Sequence, residues 1–239
     1  MRTLLLRGML AGVLAGLLYA VFAYVFGEPA VDAAIAFEER LAGAAGEAPG
    51  EELVGRGVQS TLGLGVAALL YGAAVGGIFA LAYAFLAGRV IRFGPRGTAA
   101  TLALLAFLVV YAVPFLKYPA NPPASSIDDT IGRRTGLYVV MVVLSVLLAV
   151  AAGALRERLL DRLAGWNATL VAAAAYLVLV GVVMALLPTV DETPADFPAT
   201  VFYQFRLASL GGQVVLWTAL GLIFGALVDN RARRAAATA

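Results

Sequence analysis

The 239-residue chain is 62% hydrophobic and 13% charged, about half the charged share of an ordinary soluble domain, which excludes a water-soluble globule. With no cysteine and no histidine it has no disulfide, no thiolate metal site and no imidazole, the commonest metal ligand and pH switch. The net charge of +2 points to no nucleic-acid partner and becomes informative only when the charges are sorted along the chain.

Charged residues bound six apolar runs, at 8–27, 57–88, 97–116, 135–155, 163–190 and 207–228. Each holds the ~20 residues a helix needs to cross the hydrocarbon core. They predict spans at about 4–26, 58–87, 98–116, 135–155, 167–187 and 207–228. The expected fold is an all-α integral membrane protein: six transmembrane helices arranged as three helical hairpins in a single polytopic domain, 1–239.

The first run follows MRTLLLR. It is longer than the 7–15 apolar residues of a signal sequence and lacks a small-x-small cleavage site, so it is expected to stay as a helix. Gly8, Gly12 and Gly16 recur every four residues and line one stripe on which another helix can approach closely. The acidic external loop at 27–57 carries Glu28, Asp32, Glu38, Glu39, Glu47, Glu51 and Glu52 against Arg40 and Arg56. Its first half, VDAAIAFEERLAGAA, has apolar residues at helical spacing and predicts a helix lying on the membrane surface; GEAPGEE reads as a turn.

The second span repeats the close-packing pattern at Gly72 and Gly76 and leaves through Arg89, Arg92 and Arg96. The third ends in KYPANPP, where prolines stop the helix. The fourth begins after Asp128, Asp129, Arg133 and Arg134 and leaves through Arg156, Arg158 and Arg162. The fifth starts at Trp166-Asn167 and delivers the chain to LPTVDETPADFPATVFYQFRLASLGG (187–212). That stretch sets Asp191, Glu192 and Asp196 among three prolines, with Arg206 at the threshold of the sixth span. A basic tail, 229–239, follows.

Eleven basic residues fall on the side of the termini and six on the other. The positive-inside rule then places both termini in the cytoplasm, in a multi-pass protein of the bacterial inner (cytoplasmic) membrane. The acids divide the opposite way, twelve outside and three inside, so the outer face is negative. The return helices open with Arg56, Arg134 and Arg206, 78 and 72 residues apart, a spacing that hints at a two-helix repeat of the kind found in transporters.

A cation at a helix N-terminus opposes the helix dipole by about 0.3–1 kcal/mol, so these arginines need compensation. Acids stand close to each in sequence: Glu51 and Glu52, Asp128 and Asp129, and the 191–196 group. One reading makes Arg56, Arg134, Arg206 and Lys117 interfacial ion pairs that pin the loops. The other makes them a gate that a cation displaces. Asp191, Glu192 and Asp196, then Glu28 and Asp32, are the candidate metal ligands, because carboxylate and carbonyl oxygens suit divalent cations; solvated external charge is the plainer alternative. The spans hold no carboxylate, which argues against a proton pump. Most of the polar groups in the spans, Tyr71, Tyr83, Ser145, Thr169, Tyr176, Gln213 and Thr218, are expected to serve interhelical hydrogen bonds and packing, and Gln213 is the polar candidate for lining a pore. No nucleophile–base pair, phosphate loop or cofactor motif is present, so no enzyme is expected.

The strings VPFLKYPANPPA (113–124), WNA (166–168), LPTVDETPADFPA (187–199) and FRLASLGGQVVLW (205–217) resemble the CbtA family, as do LLLRGMLAGVLAG and GEPAVDAAIAFEE near the start. The resemblance covers about 1–228. It implies a subunit of a cobalt uptake system with Co²⁺ as cargo, accompanied by a small histidine-rich CbtB-type subunit. Members are described with five spans, some with a histidine-rich first loop; this chain has six apolar runs and an acidic first loop. The nitrogen ligands would then come from a partner, or capture would be by oxygen alone. The rival expectation is a non-transporting membrane scaffold whose external loops hold a partner protein.

Overall fold

The computed structural model describes residues 1–46, 54–123, 125, 128–190, 194 and 196–237, without the side chains of 128–130 and 231–237. It contains seven helices among the described residues: α1 (Arg2–Phe26), α2 (Glu28–Ala45), α3 (Arg56–Leu86), α4 (Pro95–Lys117), α5 (Asp128–Leu159), α6 (Gly165–Leu186) and α7 (Ala199–Ala237). All but α2 are long and apolar enough to cross a membrane. The six predicted spans are therefore present, and the protein is a multi-pass membrane protein. The helix predicted from the apolar spacing of VDAAIAFEERLAGAA is present as α2, which Gly46 ends in a left-handed conformation (φ 75°) with its amide on the Ala42 and Gly43 carbonyls.

The described residues form two compact units. The first takes Met1–Phe107, Asn121–Ser125 and Ala195–Ala239; the second takes Leu108–Ala120 and Ser126–Pro194. The division falls inside α4, at the start of a π-helical stretch, Phe107–Ala112.

In the first unit α1 and α3 run antiparallel with their backbones touching. Gly8 faces Gly76, Gly12 faces Gly72 and Gly16 faces Ala68; a Cβ added at Gly12 would fall on the Gly72 carbonyl oxygen, and one at Gly72 on that of Gly12. This is the seam the four-residue spacing predicted. Hydrocarbon offers no hydrophobic reward for bringing two apolar helices together, so small residues that allow dense packing must supply the attraction. The helix α7 adds to this pair through glycines of its own. Gly211 and Gly212 lie under the rings of Phe22 and Tyr19, while Gly221 and Gly225 lie against Ala103, Ala99 and Arg96 of α4. Phe224, fully buried, meets Phe79 and Tyr83 edge-on at 5.3 and 5.1 Å. An ion pair, Arg96–Asp229 at 2.8 Å, ties the start of α4 to α7.

The second unit pairs α5 with α6 and the end of α4 around Val113, Tyr118, Met141 and Val180. The fully buried Ser145 hydroxyl donates to the Val109 carbonyl at 2.7 Å and shares a 2.8 Å bond with the Tyr176 hydroxyl. Val109 lies in the π-helical stretch, where the shifted ladder makes a carbonyl available to a neighbouring helix. Arg156 donates to Thr169 at 2.9 Å. The expected interhelical roles of Ser145, Tyr176 and Thr169 are thus realised.

Packing does not follow chain order. Spans one and two pair as a hairpin, yet the sixth packs on the first and third, and the fourth on the fifth.

Gly12→Leu is expected to force α1 from α3 and to destabilise by on the order of 3 kcal/mol, the upper end for overpacking. Gly153→Ala, where an added Cβ meets nothing within 4 Å, is expected to leave the melting temperature of the purified protein unchanged or slightly raised. Equal effects from the two would show that the seam is not what holds α1 and α3.

Candidate functional site

Three turns of the chain meet in the first unit. The buried face of α2, Ala30, Ala34 and Phe37, packs on Phe197, Val201 and Phe202 at the start of α7. Phe37 meets Phe197 edge-on at 5.0 Å, and Phe197 meets Phe202 at 4.6 Å. Asp196 and Glu38, the sequence neighbours of that aromatic pair, are exposed. Arg206 brings in the third turn: its guanidinium donates to Asn121 Oδ1 at 2.9 Å and lies over the Phe202 ring, 5.0 Å from its centroid. Pro122 and Ser125 beside Asn121 are fully buried, with the Ser125 hydroxyl on the Pro122 carbonyl at 2.6 Å.

Arg56, at the start of α3, is held by two carboxylates one turn apart on α2. It donates to Glu28, and its Nε lies 2.9 Å from Asp32 Oδ1. Glu28 is largely buried and Asp32 mostly exposed. The pair that compensates Arg56 therefore lies 28 and 24 residues upstream of it. Glu51, Glu52, Asp191 and Glu192, with the side chains of Asp128 and Asp129, lie outside the described residues. In the second unit Arg134 donates to the Pro119 carbonyl. The Tyr118 hydroxyl donates to the Pro188 carbonyl at 2.7 Å. Burial pushes the Tyr118 hydroxyl up from its ordinary value, Arg133 pulling the other way. The Lys117 ammonium lies 5.9 Å from the centroid of the Tyr118 ring.

Sequence reasoning named Arg206 but not Asn121 as its acceptor, and Arg134 but not the proline carbonyl it reaches. The usable signal was the proline run itself. A proline stops the helical ladder, and the carbonyls around it become acceptors for side chains; Pro119, Pro122 and Pro188 each take one.

Deeper in the first unit lies a small polar group. Gln213 is 8% exposed; Tyr71 of α3, whose hydroxyl is influenced by the Gln213 side chain, is 46% exposed, and Tyr19 of α1 is near Tyr71. Gln213 Oε1 is buried without a partner, as is Trp217 Nε1 one turn further along α7. Each such atom costs about 1–3 kcal/mol, and lipid offers no substitute partner. Among the described residues no three His, Cys, Asp or Glu side chains cluster in a way that could hold a metal. A half-open groove of about 230 Å³ between α4 and α7 is lined by apolar residues such as Ala103, Phe107 and Leu222 and by the hydroxyl-bearing Thr218.

The Asn121 segment and the Asp196–Arg206 segment lie within a wider match. The pattern of the family described as "Probable cobalt transporter subunit (CbtA)" matches residues 1–229. The chain belongs to the CbtA family. Membrane location, transport and cobalt follow from that membership together with the six spans. No curated protein and no solved structure matches the chain. This CbtA chain therefore has its family from sequence and its site geometry from its own fold.

A double-mutant cycle with Arg56→Gln and Glu28→Gln is expected to give a coupling of about 0.5–1 kcal/mol, shrinking as salt is raised. A coupling near zero at low salt would remove this ion pair as the tie between α2 and α3.

Proposed function

We propose that this protein is a membrane subunit of a cobalt uptake system in the bacterial inner membrane, with both termini cytoplasmic, and that it gathers the divalent cation at an acidic outer face. The observation that carries this reading is the meeting of α2, the Asn121 segment and the Phe197–Arg206 segment in one unit. The described acids on these segments are Glu28, Asp32, Glu38, Glu39 and Asp196. A concentration of carboxylates raises the local level of cations and speeds their arrival, and carboxylate and carbonyl oxygens are ligands a divalent ion accepts.

Asp191, Glu192 and Asp196 are the proposed first contacts. Glu28 and Asp32 are the second, and they differ in already holding Arg56. A cation reaching them has to displace the guanidinium, so the Arg56 pair would act as a gate that opens only when enough positive charge arrives to replace it. Capture by oxygen alone is weak, which suits an ion that must move on. Tighter, nitrogen-based selection of Co²⁺ is assigned to a histidine-rich CbtB-type partner, in keeping with the family's description as a subunit. Gln213 is the proposed polar lining of the path.

One observation favours a scaffold that holds a partner without transporting: Glu28 and Asp32 are satisfied by Arg56 with no metal required. The two readings separate on uptake. Cells carrying Asp191→Asn, Glu192→Gln and Asp196→Asn together are expected to take up cobalt about tenfold more slowly at low cobalt and low salt, the modest end of electrostatic focusing. At saturating cobalt the difference should narrow. Uptake equal to wild type under both conditions removes these residues from the mechanism, and no cobalt uptake by the wild type favours the scaffold.

A further inference from the structure

The polar group at Gln213 lies within the membrane-crossing helices. Gln213 stands 14 residues from Ala199 and 17 from Asn230, the limits of that span, and Tyr71 stands 15 from each end of Arg56–Leu86. Tyr19 closes the group from α1 and is itself fixed by Gly212, which lies under its ring. Gln213 is also seven residues past Arg206, two turns further along the same helix and about 10 Å deeper at 1.5 Å per residue. The converging turns and this group therefore share one helix.

An amide carbonyl oxygen, nine-tenths of its residue buried, without a hydrogen-bond partner, is the wrong group for packing alone. Leucine or methionine would fill the volume without the free-energy cost of an unmade bond. What such an atom accepts is a hydrogen-bond donor or a cation. The hydroxyls of Tyr71 and Tyr19, neither of which bonds that oxygen, can accept as well as donate. All three are neutral, and the spans hold no carboxylate. A bare divalent ion would find too little charge here to replace its hydration, whereas an ion that keeps water presents only donated hydrogens.

We propose that Gln213, with Tyr71 and Tyr19, forms an intramembrane station that takes the travelling divalent cation through its retained water shell. The station rests on the reading of the chain as a cation-uptake subunit, and it adds where the ion pauses and in what form. It is an outer-sphere site: the protein oxygens accept hydrogen bonds from metal-bound water and replace none of it. Trp217 Nε1, one turn further along α7 and likewise without a partner, adds a hydrogen-bond donor.

The chain has no native cysteine, so a single introduced thiol reports alone. In the full-length protein in vesicles, Gln213→Cys is expected to react with a small cationic thiosulfonate reagent, and Co²⁺ is expected to slow that reaction. Leu222→Cys, exposed on the same helix, is expected to stay unlabelled by the water-borne reagent. Gln213→Met is expected to melt no lower than wild type yet to take up cobalt about tenfold more slowly, as for the loss of about 1.4 kcal/mol of stabilisation. The proposal is overturned if Gln213→Cys is unreactive, if its labelling ignores Co²⁺, if Gln213→Met transports normally, or if Gln213→Met melts well below wild type, which would make the amide a structural tie. Wild-type protein that takes up no cobalt defeats the transport reading instead. Labelling without Co²⁺ protection in a protein that does transport defeats the station alone.

Discussion

Contact between the backbones of α1 and α3 is the constraint on which the first unit depends. In water two apolar helices associate because contact hides them from solvent; in hydrocarbon that drive is missing, and only dense packing and hydrogen bonding favour a neighbour over lipid. Gly8, Gly12 and Gly16 set against Gly76, Gly72 and Ala68 provide the density. The same device brings α7 in, through Gly211 and Gly212 on one neighbour and Gly221 and Gly225 on another. Because α7 carries Arg206, Gln213 and Trp217, these glycine contacts also decide where its polar side chains lie. Scaffold and site are settled by one packing problem.

The ends of the helices pose a second problem, of charge. An arginine at the start of a helix meets the positive end of the dipole; Arg56 opens α3 in this way, whereas Arg134 and Arg206 lie six and seven residues inside α5 and α7, past the first turn. Arg56 is relieved by two carboxylates, Arg134 by a proline carbonyl, and Arg206 by an asparagine oxygen and an aromatic face. Proline is what makes the neutral solutions available, since a chain that cannot continue its helix leaves carbonyls off the ladder. The proline-rich turns work as acceptor surfaces. They hold guanidinium groups and a tyrosine hydroxyl.

The six spans were legible in the sequence because hydrocarbon imposes a minimum apolar length that charged residues reveal by bounding it. The α1–α3 seam was legible too, since a four-residue glycine period has one geometric meaning on a helix. The α2 helix showed in its apolar spacing. What sequence could not give were the partners across long separations: Arg56 with Glu28 and Asp32, and Arg206 with Asn121, 85 residues apart. Proximity in sequence pointed Arg56 to Glu51 and Glu52, which lie outside the described residues; Glu28 and Asp32 are reached because a helix returning from a loop also meets what that loop folds against it. Hairpin order likewise says which helices are joined, not which pack, and α7 on α1 and α4 follows from matching small residues rather than from connection. The π-helical turn at Phe107–Ala112 has no compositional signature; it shows only in which carbonyl Ser145 can reach.

The contrast between a charged rim and a neutral interior bears on how an ion could cross. A carboxylate 4 Å from a divalent cation gains about 8 kcal/mol at an effective dielectric constant of 20. At 1.4 kcal/mol per decade that is about five to six decades of dwell time. At the surface such attraction is diluted by water and salt, so acids there collect ions without trapping them. At mid-membrane the screening is gone, and a carboxylate would become a sink. A chain that must pass a divalent ion inward gains by keeping its acids in the loops and offering only amide and hydroxyl oxygens between the helices. The charge distribution of this sequence follows that division, with every acid outside the apolar core of the spans and Gln213 and Tyr71 within it.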